Sequence, residues 1–206
     1  MDTMTAFITI LVPLLIIMDP PGNMLFFLLF TKGNTPLERR RMAATACMAA
    51  CGILFFFTFT GNFILRFFGI TLPAFQLAGG FIFFIYSLQM LNLIPSGIKT
   101  SDEEEEEGIS KANVALVPLA IPLLSGPGAI TAVLVWRQSH HTELGPVILV
   151  GAIVAACLIT YLFFHYGEWI LKVLGVGGLR VVSRLMGLLL AVIAVQFMVN
   201  GVQQLR

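Results

Sequence analysis

Hydrophobic and polar positions fall in long blocks along this chain. Six apolar stretches, about Phe7 to Phe30, Ala43 to Phe63, Phe75 to Leu93, Val114 to Trp136, Pro146 to Tyr166 and Leu185 to Val202, are separated by short polar connections. Each is long enough to cross the ~30 Å hydrocarbon core of a bilayer as an α-helix. Two of the six are punctured by helix breakers: Asp19-Pro20-Pro21-Gly22 in the first and Ser125-Gly126-Pro127-Gly128 in the fourth, 106 positions apart. A helix broken inside the bilayer frees N–H and C=O groups that lipid cannot satisfy, at several kcal/mol each. Such breaks persist where they are buried in protein or face a wet cavity, and paired breaks are a pointer to a transport site.

Composition agrees with a membrane location. Of 206 residues, 58% are hydrophobic and 11% charged, and the mean hydropathy is +0.93, too apolar for a soluble domain of this length. A net charge of +1, with no Lys/Arg cluster interleaved with aromatics, excludes a nucleic-acid surface. Lys and Arg set the orientation. With the N-terminus outside, nine of them (Lys32, Arg39, Arg40, Arg41, Lys99, Lys111, Lys172, Arg180 and Arg184) lie on the inner side and three (Arg66, Arg137 and Arg206) on the outer. Both termini are therefore expected outside. Asp2 with no basic residue before the first apolar run, and no small-residue cleavage site, argue against a removable signal peptide. Cys47, Cys51 and Cys157 fall in apolar runs and read as small buried hydrophobes rather than a disulfide framework. With His140, His141 and His165 elsewhere, no metal site or cofactor is indicated.

The two halves repeat. At an offset of 106, Ala49, Ala50 and Cys51 recur as Ala155, Ala156 and Cys157, and Phe57, Gly61, Ile64, Leu65 and Gly69 recur as Phe163, Gly167, Ile170, Leu171 and Gly175. At an offset of 107, Leu72, Gly80 and Gln89 recur as Leu179, Gly187 and Gln196. Three spans per half is an odd number, so the second half lies upside down relative to the first. The expected fold is thus an all-α membrane protein of six helices in two inverted three-helix repeats, residues 1–97 and 113–206. An acidic cytoplasmic linker, 98–112, carries the run Asp102 to Glu107. Pro20 and Pro127 are expected to meet near the bilayer midplane.

Each break presents carbonyls from the helix end before it and N–H groups from the helix start after it, so one pocket offers both signs of partial charge. A zwitterion suits it. The candidate binding residues are Asp19, Pro20, Pro21, Gly22 and Asn23 at the first break, and Ser125, Gly126, Pro127, Gly128, Ala129, Ile130 and Thr131 at the second. Asp19 is the sole acidic residue deep in a span. It is a candidate to bind an ammonium or carry a coupling proton, or else simply to cap the helix that follows. Gly79, Gly80, Gln89, Gly187 and Gln196 are candidates for supporting positions, with close helix packing the competing role for the glycines. Small residues at the breaks favour a small ligand.

These residues resemble a known family. Asp19-Pro20-Pro21-Gly22-Asn23 with Phe26, followed by Thr31-Lys32-Gly33 and Glu38-Arg39-Arg40, resembles the first signature of the MarC family of bacterial and archaeal inner-membrane proteins. Pro118-Leu119-Ala120-Ile121-Pro122-Leu123 running into Gly126-Pro127-Gly128-Ala129-Ile130 resembles the second, and Arg184-Leu185-Met186-Gly187-Leu188-Leu189 the final-span motif. The resemblance covers essentially the whole chain. It implies six spans in two inverted halves and, by likeness to the family's small neutral amino acid transporters, proton-linked movement of glycine- and alanine-like substrates. It carries over only to Asp19 to Asn23 and Ser125 to Ile130. Leu25, where many members have Pro, and Pro21, often Leu, depart from the pattern at the first pocket wall.

Other classes fit less well. A channel needs a ring-forming filter motif, which is absent from the sequence. An intramembrane enzyme needs a base and nucleophile at depth, and His165 lies near a span end without such a partner. A scaffold or regulator fits the acidic linker but leaves the two breaks unexplained. The expected partners are the bilayer and a small-molecule substrate; an oligomer is compatible with the pattern.

Overall fold

The computed structural model describes residues 2–94, 124–139 and 144–205, which among themselves contain seven helices and no strand. These are α1 (Thr3–Met18), α2 (Pro20–Phe30), α3 (Pro36–Phe67), α4 (Leu72–Met90), α5 (Pro127–Ser139), α6 (Gly145–His165) and α7 (Gly167–Leu205). Five stretches are long and apolar enough to cross a membrane: Thr3–Phe30, Pro36–Phe67, Leu72–Met90, Gly145–His165 and Gly167–Leu205. Of the fourth expected span, only the part from Leu124 onward is described. Its first half, with Pro118 to Leu123, and the linker 98–112 lie outside the described residues.

Helix starts follow from local chemistry. Thr35 opens α3 with a reciprocal capping box: its Oγ1 accepts from Glu38 N at 3.3 Å, while Glu38 Oε2 accepts from Thr35 N at 2.8 Å, and Pro36 follows at the first helical position. Thr71 caps α4 singly, its Oγ1 accepting from Ala74 N at 3.4 Å. Two boundaries differ from expectation: α3 begins at Pro36 rather than Ala43, so Arg39, Arg40 and Arg41 are helical, and the last helix begins well before Leu185. The basic stretch before Leu185 is not a loop: α7 runs from Gly167, and the chain turns at Gly175 alone (φ 66°, ψ 170°). That conformation is open essentially only to glycine, so one residue redirects the chain while helical hydrogen bonding resumes on either side.

Packing is set by glycines. The widest helix contact is between α4 and α7, with α3 against α6 next. A Cβ on Gly80 would lie 2.8 Å from the Ala194 carbonyl oxygen, one on Gly187 2.8 Å from Met90 Cβ, and one on Gly201 2.9 Å from the Pro73 carbonyl oxygen. The two backbones approach as closely as small residues permit, which is how helices associate where lipid removes the hydrophobic drive. Helix α5 touches α1, α3 and α4. There Gly61 receives Leu134, and the Trp136 indole donates to Thr9 Oγ1 at 3.4 Å. Phe56, Phe59, Phe63 and Phe67 project outward from α3, a lipid-facing apolar stripe.

Cys47, Cys51 and Cys157 line one shallow groove between α3 and α6. They are free thiols. Cys51 and Cys157, which correspond under the repeat offset, stand side by side across the contact.

Candidate functional site

At the first break, two prolines in succession remove the N–H groups that would bond the carbonyls of Ile16 and Ile17. Asp19 absorbs the change of direction in a left-handed conformation (φ 38°, ψ 65°), uncommon for a residue with a side chain. Helical bonding is nonetheless kept around it: Asp19 N donates to Leu15 O at 3.0 Å and Asp19 O accepts from Asn23 N at 2.9 Å. Met18 O is taken by the Asn23 amide, Nδ2 to O 2.7 Å. Asn23 thus closes the backbone of the break with its own side chain.

The Asp19 carboxylate folds over the first turn of α2. A Cβ on Gly22 would sit 1.9 Å from Asp19 Oδ2 and 3.1 Å from Ser183 Oγ; only glycine leaves room for the carboxylate beside the Ser183 hydroxyl. Asp19 is 5% exposed, and its Oδ1 has no hydrogen-bond partner among the described residues. A buried carboxylate oxygen without a donor is costly.

That carboxylate lines a cavity of about 360 Å³. Asp19, Gly22, Asn23, Leu25, Phe26 and Leu29 form one wall; Tyr86, Gln89, Met90 and Asn92 come from the end of α4 and the residues just after it, and Arg180 and Ser183 from α7. Apolar walls with a few convergent polar groups are the usual make-up of a small-molecule site.

Of the candidates read from sequence, Asp19, Gly22, Asn23 and Gln89 are gathered at this cavity. Pro20 and Pro21 are buried in the first turn of α2. The second group of candidates stands elsewhere: none of Ser125, Gly126, Pro127, Gly128, Ala129, Ile130 and Thr131 lines the cavity. The start of α5 approaches the end of α1 at Ile17, since a Cβ on Gly128 would lie 3.2 Å from Ile17 Cγ2 and 2.8 Å from Phe83 Cε1. Ser125 and Ala129 are buried. Thr131 donates back to Pro127 O at 2.7 Å and packs its methyl group over Gly79. Gly79, Gly80 and Gly187 serve helix contact, each placed where a methyl group would collide with a neighbouring helix. Gln196 lies exposed on α7, donating to Asn200 Oδ1 at 2.7 Å.

Arg180, Ser183, Tyr86 and Asn92 did not emerge from the sequence. A signal for two of them was present: Arg180, Ser183 and Gly187 follow the three-and-four spacing of one helix face, but only if α7 is known to begin before Leu185. Among the described residues, no group of three or more His, Cys, Asp or Glu side chains is arranged to hold a metal ion.

A second polar cluster lies at the same end of the bundle. Arg39 pairs with Glu168 at the start of α7, donates from Nε to Thr31 O at 2.9 Å and from Nη2 to Lys32 O at 3.3 Å. One guanidinium therefore ties the end of α2 to α3 and α7. Arg40 Nη2 lies 3.1 Å from His165 Nε2.

The family model for MarC family integral membrane proteins matches residues 4–206. Among curated relatives, a UPF0056 membrane protein of Aquifex aeolicus is 36% identical over 199 residues, covering 97% of this chain and 93% of the relative. The UPF0056 membrane protein YvbG of Bacillus subtilis is 34% identical over 197 residues, covering 94% and 92%. YhcE of Escherichia coli, also a UPF0056 membrane protein, is 30% identical over 187 residues, covering 91% and 87%. No solved structure matches the chain. With a match over almost its whole length and relatives of equal extent, the chain belongs to the MarC family of integral membrane proteins.

Proposed function

We propose that this chain is a secondary transporter of small neutral amino acids, glycine- or alanine-like, working by alternating access with proton coupling. The observation that carries the reading is the Asp19 carboxylate: buried, lacking a partner at Oδ1, held at a helix break and lining a cavity that takes its walls from three helices. Apolar neighbours Leu29, Phe26 and Met90 leave room for a small uncharged side chain. Asp19 is positioned to meet an ammonium or a proton, and exchange of one for the other would couple solute to the gradient.

The reading includes an inverted duplication of residues 1–97 and 113–206. In its support, Gly69 and Gly175, equivalent under the offset of 106, share a positive φ of 65° and 66°. The third spans, α4 and α7, pack on each other, as do the second spans, α3 and α6. The cavity runs along α2 from Asp19 to Leu29, beside the end of α4 and the start of the long part of α7. The distribution of Lys and Arg assigns that end to the cytoplasm, with both termini outside the cytoplasmic membrane. The described conformation then corresponds to an inward-facing state.

The test is counterflow of labelled glycine and alanine in proteoliposomes holding the purified full chain. Saturable exchange supports the reading; silence across a panel of small neutral amino acids removes it.

A further inference from the structure

The cavity that holds Asp19 carries a second, opposite charge. Arg180 lines it from α7, between the Gly175 turn and Ser183. One helical turn, ~5 Å, separates Arg180 from Ser183, and Ser183 stands beside the Asp19 carboxylate. Opposite charges sharing a cavity ordinarily close on each other. Here they do not: the one ion pair among the described residues is Arg39 with Glu168. Asp19 and Arg180 come from two different elements and line the same cavity without forming an ion pair.

The repeat makes this arrangement one-sided. Under the offsets that align the halves, Asp19 corresponds to Ser125 and Arg180 to Pro73. Neither counterpart is charged, so a matching cavity on the opposite face would lack both poles. A separated carboxylate and guanidinium fit a ligand that has its own two charges a few ångströms apart. The guanidinium offers two parallel N–H donors that match a carboxylate, which a lysine ammonium cannot reproduce.

Resting on the transport reading above, we infer that Arg180 receives the substrate carboxylate while Asp19 faces its ammonium, making Arg180 the residue that selects α-amino acids over simple amines at the cytoplasmic mouth of the cavity.

The experiment measures alanine counterflow in proteoliposomes at a fixed mildly acidic pH, with alanine and alaninamide as competitors. Alaninamide keeps the ammonium and replaces the carboxylate by a neutral amide. In the native chain, alanine competes and alaninamide does not. In Arg180→Gln, KM for alanine rises about tenfold or more, the scale of losing one charge-assisted contact, and the preference for alanine over alaninamide falls by a similar factor. Arg180→Lys keeps part of that preference, and Arg66→Gln, at the far end of α3, keeps all of it. Thermal melts show that each variant is folded. If Arg180→Gln retains the native KM and still rejects alaninamide, Arg180 does not receive the carboxylate, although transport stands. If the native chain exchanges neither alanine nor glycine, the transport reading and this assignment fall together.

Discussion

Gly69 and Gly175, 106 positions apart in the chain, both have a positive φ, 65° and 66°. Neither has a heavy atom within 4 Å of where a Cβ would stand, so a substitution there meets no steric obstacle. What remains is the backbone itself. Replacing Gly175 by Ala should destabilise by about 1–3 kcal/mol, because ψ of 170° at that φ is a region other residues scarcely enter. Gly69→Ala should also be destabilising, through its positive φ. Thermal unfolding in detergent measures both, and variants as stable as the native chain would show that the turns relax without cost.

Glycines in helix interfaces should behave in the opposite sense to lipid-facing ones. Gly80→Ala drives a methyl group against the Ala194 carbonyl oxygen at 2.8 Å, where backbone has to move, and is expected to cost about 1–3 kcal/mol. Gly52→Ala, in the middle of α3 with nothing within 4 Å, should be neutral or stabilise by up to about 1 kcal/mol through helix propensity. Paired melting curves check the contrast.

Arg39 and Glu168 form one ion pair but should not be equivalent on mutation. Glu168 is 66% exposed on its side chain, so Glu168→Gln should cost no more than about 1 kcal/mol. Arg39 also satisfies the carbonyls of Thr31 and Lys32 at the end of α2. Arg39→Gln is therefore expected to cost about 1–3 kcal/mol and to loosen the α2 end. Accelerated hydrogen exchange confined to the last turn of α2 in Arg39→Gln, and absent in Glu168→Gln, is the signature to look for.

Asp19→Asn keeps the size of the side chain and removes its charge. Proton-driven accumulation of alanine should be lost, while counterflow, which needs no gradient, should persist at reduced affinity. Accumulation at the native level in this variant would take Asp19 out of the coupling step.

Much of this architecture was legible before any coordinates. The break at Asp19 arises from chemistry confined to a few neighbouring residues; the Thr35-Pro36 start of α3 is equally local, but hydropathy placed that span from Ala43, past the charged first turns. The offset of 106 paired Gly69 with Gly175 from identity alone, and the two share a positive φ. Gly80 and Gly187 are a different case. Their recurrence drew attention to them, but recurrence does not say whether a glycine makes room for a ligand or for a helix; the proximity of Ala194 and Met90 decides for the helix.

The sequence by itself determined that the chain is a helical membrane protein of this family and where its first span is interrupted. In lipid each span must satisfy its own backbone hydrogen bonds, so hydropathy, Pro and Gly act locally and can be read one segment at a time. Tertiary structure alone decided which residues meet. It placed Arg180 and Ser183 with Asp19, set Gln196 outside the cavity and packed Thr131 against Gly79. The physical reason is that a cavity is the space left among α2, α4 and α7. Its lining depends on how closely the glycine faces let those helices approach, a property of the contact rather than of any one segment.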